Sequence, residues 1–201
     1  MKILVIGSTG TIGSAVVTAL SSKHEVIGVH RKSTPSLDIE SSASIAELFE
    51  RVTGIDHVIS CAGGGAWKPL AQLTDADFAS SLGYKLMGQV NVIRHALKHL
   101  RDGGSVTVTS GYLAQNPIPN AAAIAMVNSG LEGFVRGAAV EAERGVRVNV
   151  VSPPWINETL VAWKMTDSGI EGIDAAVCAK AYVASIEGSQ TGATIDARSF
   201  A

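Results

Sequence analysis

Gly7, Gly10 and Gly13 recur at three-residue spacing where an apolar run ends and an amphipathic run begins. Before them, Ile3-Leu4-Val5-Ile6 predicts a short strand buried on both faces. After them, Ile12, Val16, Ala19 and Leu20 predict a helix with one apolar side. The chemistry that Gly7-Ser8-Thr9-Gly10-Thr11-Ile12-Gly13 offers is anion binding. A strand, a tight turn and a helix start aim free backbone N–H groups and the positive helix end at one point, which suits a phosphate. Gly7 allows the turn, Gly10 lets a pyrophosphate approach the backbone, and Gly13 lets the helix pack close to the sheet. Ordinary strand-to-helix turns share this spacing. The position directly after an amino-terminal strand, opening a helix, favours dinucleotide binding.

A second candidate group, His30-Arg31-Lys32-Ser33, follows the next strand-like segment. Dinucleotide-binding sheets place an acid there when the ribose hydroxyls of NAD are bound. Here no carboxylate repels a 2′-phosphate, and the planar fork of Arg31 can grip one, with Lys32 and Ser33 alongside. The pattern points to NADP(H) over NAD(H), with a solvated surface pair as the alternative for Arg31 and Lys32. Elsewhere the chain is unremarkable in charge. Its 201 residues are 46% hydrophobic and 17% charged, which implies a compact globular protein. A formal charge of −2 gives no electrostatic case for nucleic acid or an anionic membrane. No apolar run reaches spanning length, and Met1-Lys2 leads directly into a strand where a signal peptide would otherwise stand. Cys61 and Cys178, far apart, fit a reducing compartment, and the cytoplasm is the expected location.

The elements that position these groups alternate to the end of the chain. Strands are predicted at Glu25 to His30, around Leu37-Asp38-Ile39, at His57 to Ser60, Ser105 to Thr109, Arg147 to Val151 and Ala193 to Ile195. Helices are predicted from Ser44 to Val52, from Thr74, from about Leu82 to Leu100, from about Ala121 to Glu143 and from Ala176 to Ser185. Thr74 with Asp77 resembles a capping box with a shorter acid. Alternating βα units imply an α/β fold, a doubly wound parallel β-sheet with helices on both faces. Ligands in such sheets lie beyond the carboxyl ends of the strands. The loops after Ile6, Val29, Ile59, Thr109 and Val151 are therefore expected to converge on one cleft.

In this order, the chain resembles the short-chain dehydrogenase/reductase family along nearly its whole length. The matches are Gly7 to Gly13, Asp38-Ile39, Cys61-Ala62-Gly63 where the family has Asn-Ala-Gly, Glu132-Gly133-Phe134, and Arg147-Val148-Asn149-Val150-Val151-Ser152-Pro153. Lys85-Leu86-Met87-Gly88-Gln89-Val90-Asn91 is similar to a small bacterial subgroup that lacks the usual active-site residues. The resemblance implies one Rossmann-fold domain over residues 1–201 and a homodimer or homotetramer, with Arg31 and Lys32 making NADP(H) the expected cofactor. It also implies that Asp38 accepts a hydrogen bond from the adenine amino group and that Ile39 packs on the ring. Cys61, Ala62 and Gly63 would let the backbone approach the cofactor, with Cys61 a small buried residue and not a reactive thiol. Pro153, Trp155 and Ile156 would lie in the loop that closes over the nicotinamide.

Members of this family reduce a carbonyl with a hydride from the cofactor and a proton from a tyrosine four residues before a lysine. Aligned on Glu132-Gly133-Phe134, Ile124 stands at the tyrosine position and Asn128 at the lysine position. Ile124 cannot donate a proton, and Asn128 can bond a ribose hydroxyl without bringing charge. The serine partner is Ser110 if one residue is inserted between Tyr112 and Asn120, or Gly111 in an ungapped reading. Two proton donors are left: Tyr112, on a loop bordering the cleft, and Lys85, which replaces the family's asparagine. Desolvation can bring a lysine toward neutrality. A loop-edge role for Tyr112, and a surface or cofactor-contact role for Lys85, stay open. Trp67, Trp155 and Trp163 either line a substrate pocket or are core aromatics. The lid segment, Asn157 to Asp174, is short, and the histidines show no metal-ligand spacing. Two functions follow. One is an NADP(H)-dependent oxidoreductase of a small carbonyl or alcohol with a non-standard proton donor, and no nucleic-acid or membrane partner. The other, for which Ile124 speaks, is an NADP(H)-binding sensor or partner-binding module without catalysis.

Overall fold

The computed structural model describes residues 1–201, apart from the side chain of Ser168. In chain order its elements are β1 (Lys2–Ile6), α1 (Thr11–Leu20), β2 (Glu25–Val29), α2 (Ser42–Arg51), β3 (His57–Ser60) and α3 (Asp75–Ser81). A single stretch of π-helix, Leu82–Met87, leads into α4 (Gly88–His99), β4 (Ser105–Thr109), α5 (Ala122–Glu141) and β5 (Arg147–Ser152). The chain closes with β6 (Trp155–Ile156), α6 (Asn157–Ala162), β7 (Gly172–Ile173), α7 (Ala175–Glu187) and β8 (Thr194–Asp196). Six strands pair in parallel, in the order β2-β1-β3-β4-β5-β8. β6 and β7 form a separate two-stranded parallel pair.

The pleat sends successive side chains to opposite faces. Leu4 and Ile6 enter one core with α2, α4 and α5, while Ile3 and Val5 enter another with α1 and α7. Because helices cover both faces, β3 and β4 are buried along their length and β1 beyond Lys2. β4 nevertheless alternates Ser105, Thr107 and Thr109 with valines, and its buried hydroxyls pair with His57, Ser185 and Tyr182. This is the doubly wound Rossmann arrangement that the alternating pattern predicts. The crossovers place β2 on one side of β1 and β3 on the other, so a crevice opens where the order reverses, at the carboxyl ends of these strands.

One predicted strand is absent. Leu37 and Ile39 are buried, as their alternation requires, yet their backbone makes no ladder. Asp38 N–H donates to Ser44 Oγ at 3.1 Å, and Glu40 N–H donates to Asp38 Oδ1 at 3.1 Å. This side-chain-capped turn outcompetes strand pairing over so short an alternation, and β2 remains the sheet edge. α2 also begins earlier than predicted, because the Ser41 hydroxyl accepts from Ser44 N–H. The Thr74–Asp77 capping box forms as read, with Thr74 N–H on Asp77 Oδ2 at 2.9 Å and Asp77 N–H on Thr74 Oγ1 at 3.3 Å.

The amino-terminal turn is set by a contact between two glycines. A side-chain carbon on Gly13 would lie 2.0 Å from the carbonyl oxygen of Gly7, so the first turn of α1 sits directly on the end of β1. Gly7 itself turns at φ +79°, where a side chain would also press to 2.9 Å of Ala62 N. Gly13→Ala is expected to destabilise the fold by about 1–3 kcal/mol, overpacking outweighing the helix preference for alanine. Thermal unfolding checks this; an unchanged or raised melting temperature would contradict the contact.

Candidate active site

Two cavities adjoin along the carboxyl edge of the sheet and share Gly63. The first, about 300 Å³, is bounded by Gly7, Thr9 and Gly10 after β1, by His30 and Arg31 after β2, by Asp38 and Ile39, and by Cys61, Ala62 and Gly63 after β3. α1 starts at Gly10 with no side-chain cap, so its leading amides are left for a ligand. Not every residue of the glycine turn faces this space. Ser8 Oγ lies 3.4 Å from the carbonyl of Val29, Ile12 packs toward the α1–α7 core, and Gly13 is buried on Gly7. Ser8, Thr11, Ile12 and Gly13 lie outside the lining, so any part they play falls to their backbone. Arg31 stands at the rim; Lys32 lies outside the lining. The Ser33 hydroxyl is held inside its own turn, accepting from His30 N–H at 2.8 Å and lying 2.6 Å from the carbonyl of Pro35. Desolvation pushes the Cys61 thiol up to about 12, so it stays protonated. The residue itself is only partly buried and lines the cavity, which corrects the expectation of a small buried residue.

The second cavity, about 260 Å³, lies beyond β4 and β5. Lys85 enters it from the π-helical turn and is 5% exposed, which corrects the surface alternative. Its Nζ donates to the backbone carbonyl of Ser110 at 3.1 Å, and desolvation brings its ammonium down to about 8. The winding is what delivers it: Gly88 N–H donates five residues back to Gly83, not four. Gln89 then ties the turn to β4, its Nε2 donating to the carbonyl of Thr109 at 2.8 Å and its Oε1 accepting from Thr109 N–H at 2.8 Å. Gly63, at φ +128°, makes room, since a side chain there would meet Lys85 Cδ at 2.9 Å.

Ser110 is placed differently from expectation. Its hydroxyl donates to Glu132 Oε1 at 2.8 Å, and Gln115 Nε2 donates to the same carboxylate. The proton of Ser110 is thus committed to a buried acid, and only its carbonyl serves Lys85. Burial raises the pKa of Glu132, against its two donors. The ungapped position, Gly111, is the one that faces Asn128, whose Nδ2 would lie 2.9 Å from a side-chain carbon there. Asn128 is 2% exposed, and its Oδ1 has no partner among the described residues. Ile124 lines the same cavity, with Tyr112, Pro153, Trp155 and Ile156. Tyr112 donates its N–H to Pro153, and the Arg198 guanidinium covers its ring at 4.2 Å. Sequence reasoning missed the roles of Gln89 and Glu132. The signal lay in helical spacing, each standing four residues after a candidate site residue, Lys85 and Asn128.

A family model described as enoyl-(acyl carrier protein) reductase matches residues 13–188. A solved small-chain dehydrogenase in complex with NADPH is 26% identical, with TM-score 0.85, over 98% of this chain and 95% of that one. This chain belongs to the short-chain dehydrogenase/reductase family. The solved protein lin1944 from Listeria innocua is 37% identical, with TM-score 0.93, over 98% of both chains. The tetrahydroxynaphthalene reductase PfmaG of Pestalotiopsis fici is 32% identical over 146 residues, 68% of this chain and 53% of that protein. The chain spans about half the length of the curated relatives it matches. Among the described residues no helix is long and apolar enough to cross a membrane, and no group of acidic, His or Cys side chains could hold a metal ion.

The burial of Lys85 has a pH signature. Below about 8 the ammonium is charged in both folded and unfolded chains, and its desolvation cost is present in full. Between about 8 and 10.5 the unfolded chain keeps the proton that the folded chain has lost. The Lys85 contribution to stability is therefore expected to rise with pH across this window, by about 3 kcal/mol, while the raised thiols of Cys61 and Cys178 act in the opposite sense above about 9. Denaturant unfolding of the wild type and Lys85→Met checks it: the stability of the wild type relative to the variant should rise from about pH 8 to pH 10.5, and a difference that does not change with pH would contradict it.

Proposed function

We propose that this chain is an NADP(H)-dependent oxidoreductase of a small carbonyl or alcohol, with Lys85 as the proton donor. The observation that carries the reading is the junction at Gly63: an uncapped helix start lies in one cavity and a buried ammonium in the other. The residues fit the cofactor. Gly7 and Gly10 present main chain where a side chain would fill the turn, and Arg31 stands at the rim where a 2′-phosphate would lie. The NADPH complex of the small-chain dehydrogenase supports the same choice. The chemistry this cofactor supplies when bound is hydride transfer to or from carbon.

The chain's own residues do the rest. The free backbone amides of Thr9, Thr11 and Ile12 would hold the diphosphate, because Gly7 N–H already donates to Val29 and Gly10 N–H to Gly7. Arg31 would pair with the 2′-phosphate, and Asp38 and Ile39 would meet the adenine. Asn128 Oδ1 gains the partner it lacks by accepting from a ribose hydroxyl. Lys85 gives a proton from Nζ to the carbonyl oxygen, and in the opposite direction its neutral amine takes one from an alcohol. An acid whose pKa lies close to working pH is suited to both. Tyr112 lines the same cavity, with the Arg198 guanidinium over its ring, and is the alternative donor. The sensor reading retains one observation in its favour, the alkyl chain of Ile124 in the cavity wall at the tyrosine position.

Lys85→Met is expected to lower NADPH-dependent carbonyl reduction by about a hundred- to ten-thousandfold while NADPH still binds. Wild-type turnover should fall as pH rises through about 8. NADPH binding with no turnover by the wild type across a broad carbonyl panel would favour the sensor. Separately, Arg31→Ala should weaken NADPH binding by about 1.5–3 kcal/mol and leave NADH binding unchanged; equal loss for both cofactors would contradict the assigned phosphate contact.

A further inference from the structure

The chain has three tryptophans, and all of them line the second cavity. Trp67 and Trp155 meet edge to face, with ring centroids 5.5 Å apart and planes at 79°. Trp155 and Trp163 meet in the same way, with centroids 6.1 Å apart. Two indole planes near a right angle form a corner. A flat ring laid on one face turns its edge to the other, and these are the two arrangements that aromatic pairs favour. A corner of this kind also attracts a quaternary ammonium ion, and charge decides between the two. Lys85 is the one charged side chain in the lining, and among the described residues no carboxylate pairs with it. A cationic ligand would face that ammonium unscreened, whereas a carbonyl or phenolic oxygen would be drawn to it. Ile124, in place of a hydroxyl-bearing side chain, extends the apolar wall.

We infer that the substrate is a flat aromatic ketone, or the corresponding benzylic alcohol, held with its ring in the Trp67–Trp155 corner and its oxygen toward Lys85 Nζ. The reaction assigned to it rests on the oxidoreductase reading; its binding does not. In the reducing direction the C=O π bond breaks, a hydride from NADPH forms the new C–H bond, and the proton from Lys85 forms the O–H bond. The ketone is reduced and NADPH is oxidised to NADP⁺.

A matched pair of probes tests the inference. α-Tetralone and α-decalone share a bicyclic skeleton and a carbonyl position, and only the first has a flat aromatic ring. Binding of each is measured by calorimetry on the full chain with and without NADP⁺, and by quenching of the tryptophan emission, which reports on this cavity alone. α-Tetralone is expected to bind roughly tenfold tighter than α-decalone, and Trp155→Leu and Trp67→Leu should each reduce that preference severalfold. Phenyltrimethylammonium should bind more weakly than either ketone to the wild type. Equal affinities for the two ketones, a preference intact in both variants, or tighter binding of the ammonium probe would each overturn the inference. Failure of NADP⁺ to bind would instead overturn the proposed function, and the ketone comparison on the free chain would still stand.

Discussion

The ammonium of Lys85 leaves water for a pocket where one backbone carbonyl, that of Ser110, accepts from it and no carboxylate offsets its charge. Burying such a group unpaired costs several kcal/mol, and the surrounding structure is built to impose it. The π-helical turn aims the side chain inward, Gln89 clamps that turn to the end of β4, and Gly63 clears a path for the alkyl stem. Glu132 fixes the receiving carbonyl indirectly, by holding the Ser110 hydroxyl and the Gln115 amide on one carboxylate. A π-turn and an unpaired buried charge are local costs, and such costs concentrate at functional sites.

The rest of the sheet places this group beside a dinucleotide. α1 rests on the Gly7 carbonyl because Gly13 has no side chain, and that contact brings the helix start to the crevice between β1 and β3. Gly63 then belongs to both cavities, so a ligand that spans them passes within reach of Lys85 and of the unpartnered Asn128 Oδ1. The family's tyrosine–lysine pair is thereby redistributed in the proposed mechanism. In that proposal the charge is supplied by Lys85 on the turn ahead of α4 and not from Asn128 in α5, and Ile124 contributes apolar wall.

Much of this was legible in the residues themselves. The glycine spacing after Ile6 located the first cavity, because only a side-chain-free turn permits that approach. The alternation of strand-like and helix-like segments gave the parallel sheet, with β1 a near-continuous apolar run. β4 and β5 are buried although they carry Thr107, Thr109 and Asn149, because those side chains are hydrogen-bonded inside. Leu37-Asp38-Ile39 misled, because buried alternation marks packing and not hydrogen-bond partners, and Ser44 captured the backbone first. Ser110 misled for a related reason. Its position at a strand end was right, yet which way its hydroxyl turns depends on Glu132, distant in sequence. Lys85 was legible as a desolvated donor, alongside a surface or cofactor-contact role; its depth of burial was not, since an uninterrupted α-helix and a π-turn share the same residues and differ in where one side chain points.

The most direct measurement is the titration of Lys85 itself, followed by NMR of lysine labelled with carbon-13 at the ε position, with Lys85→Met assigning the resonance. A midpoint near about 8 is expected for an ammonium enclosed with Ser110. A midpoint at the ordinary lysine value of 10.5 would mean a hydrated side chain, and would contradict the placement on which the proposed chemistry depends.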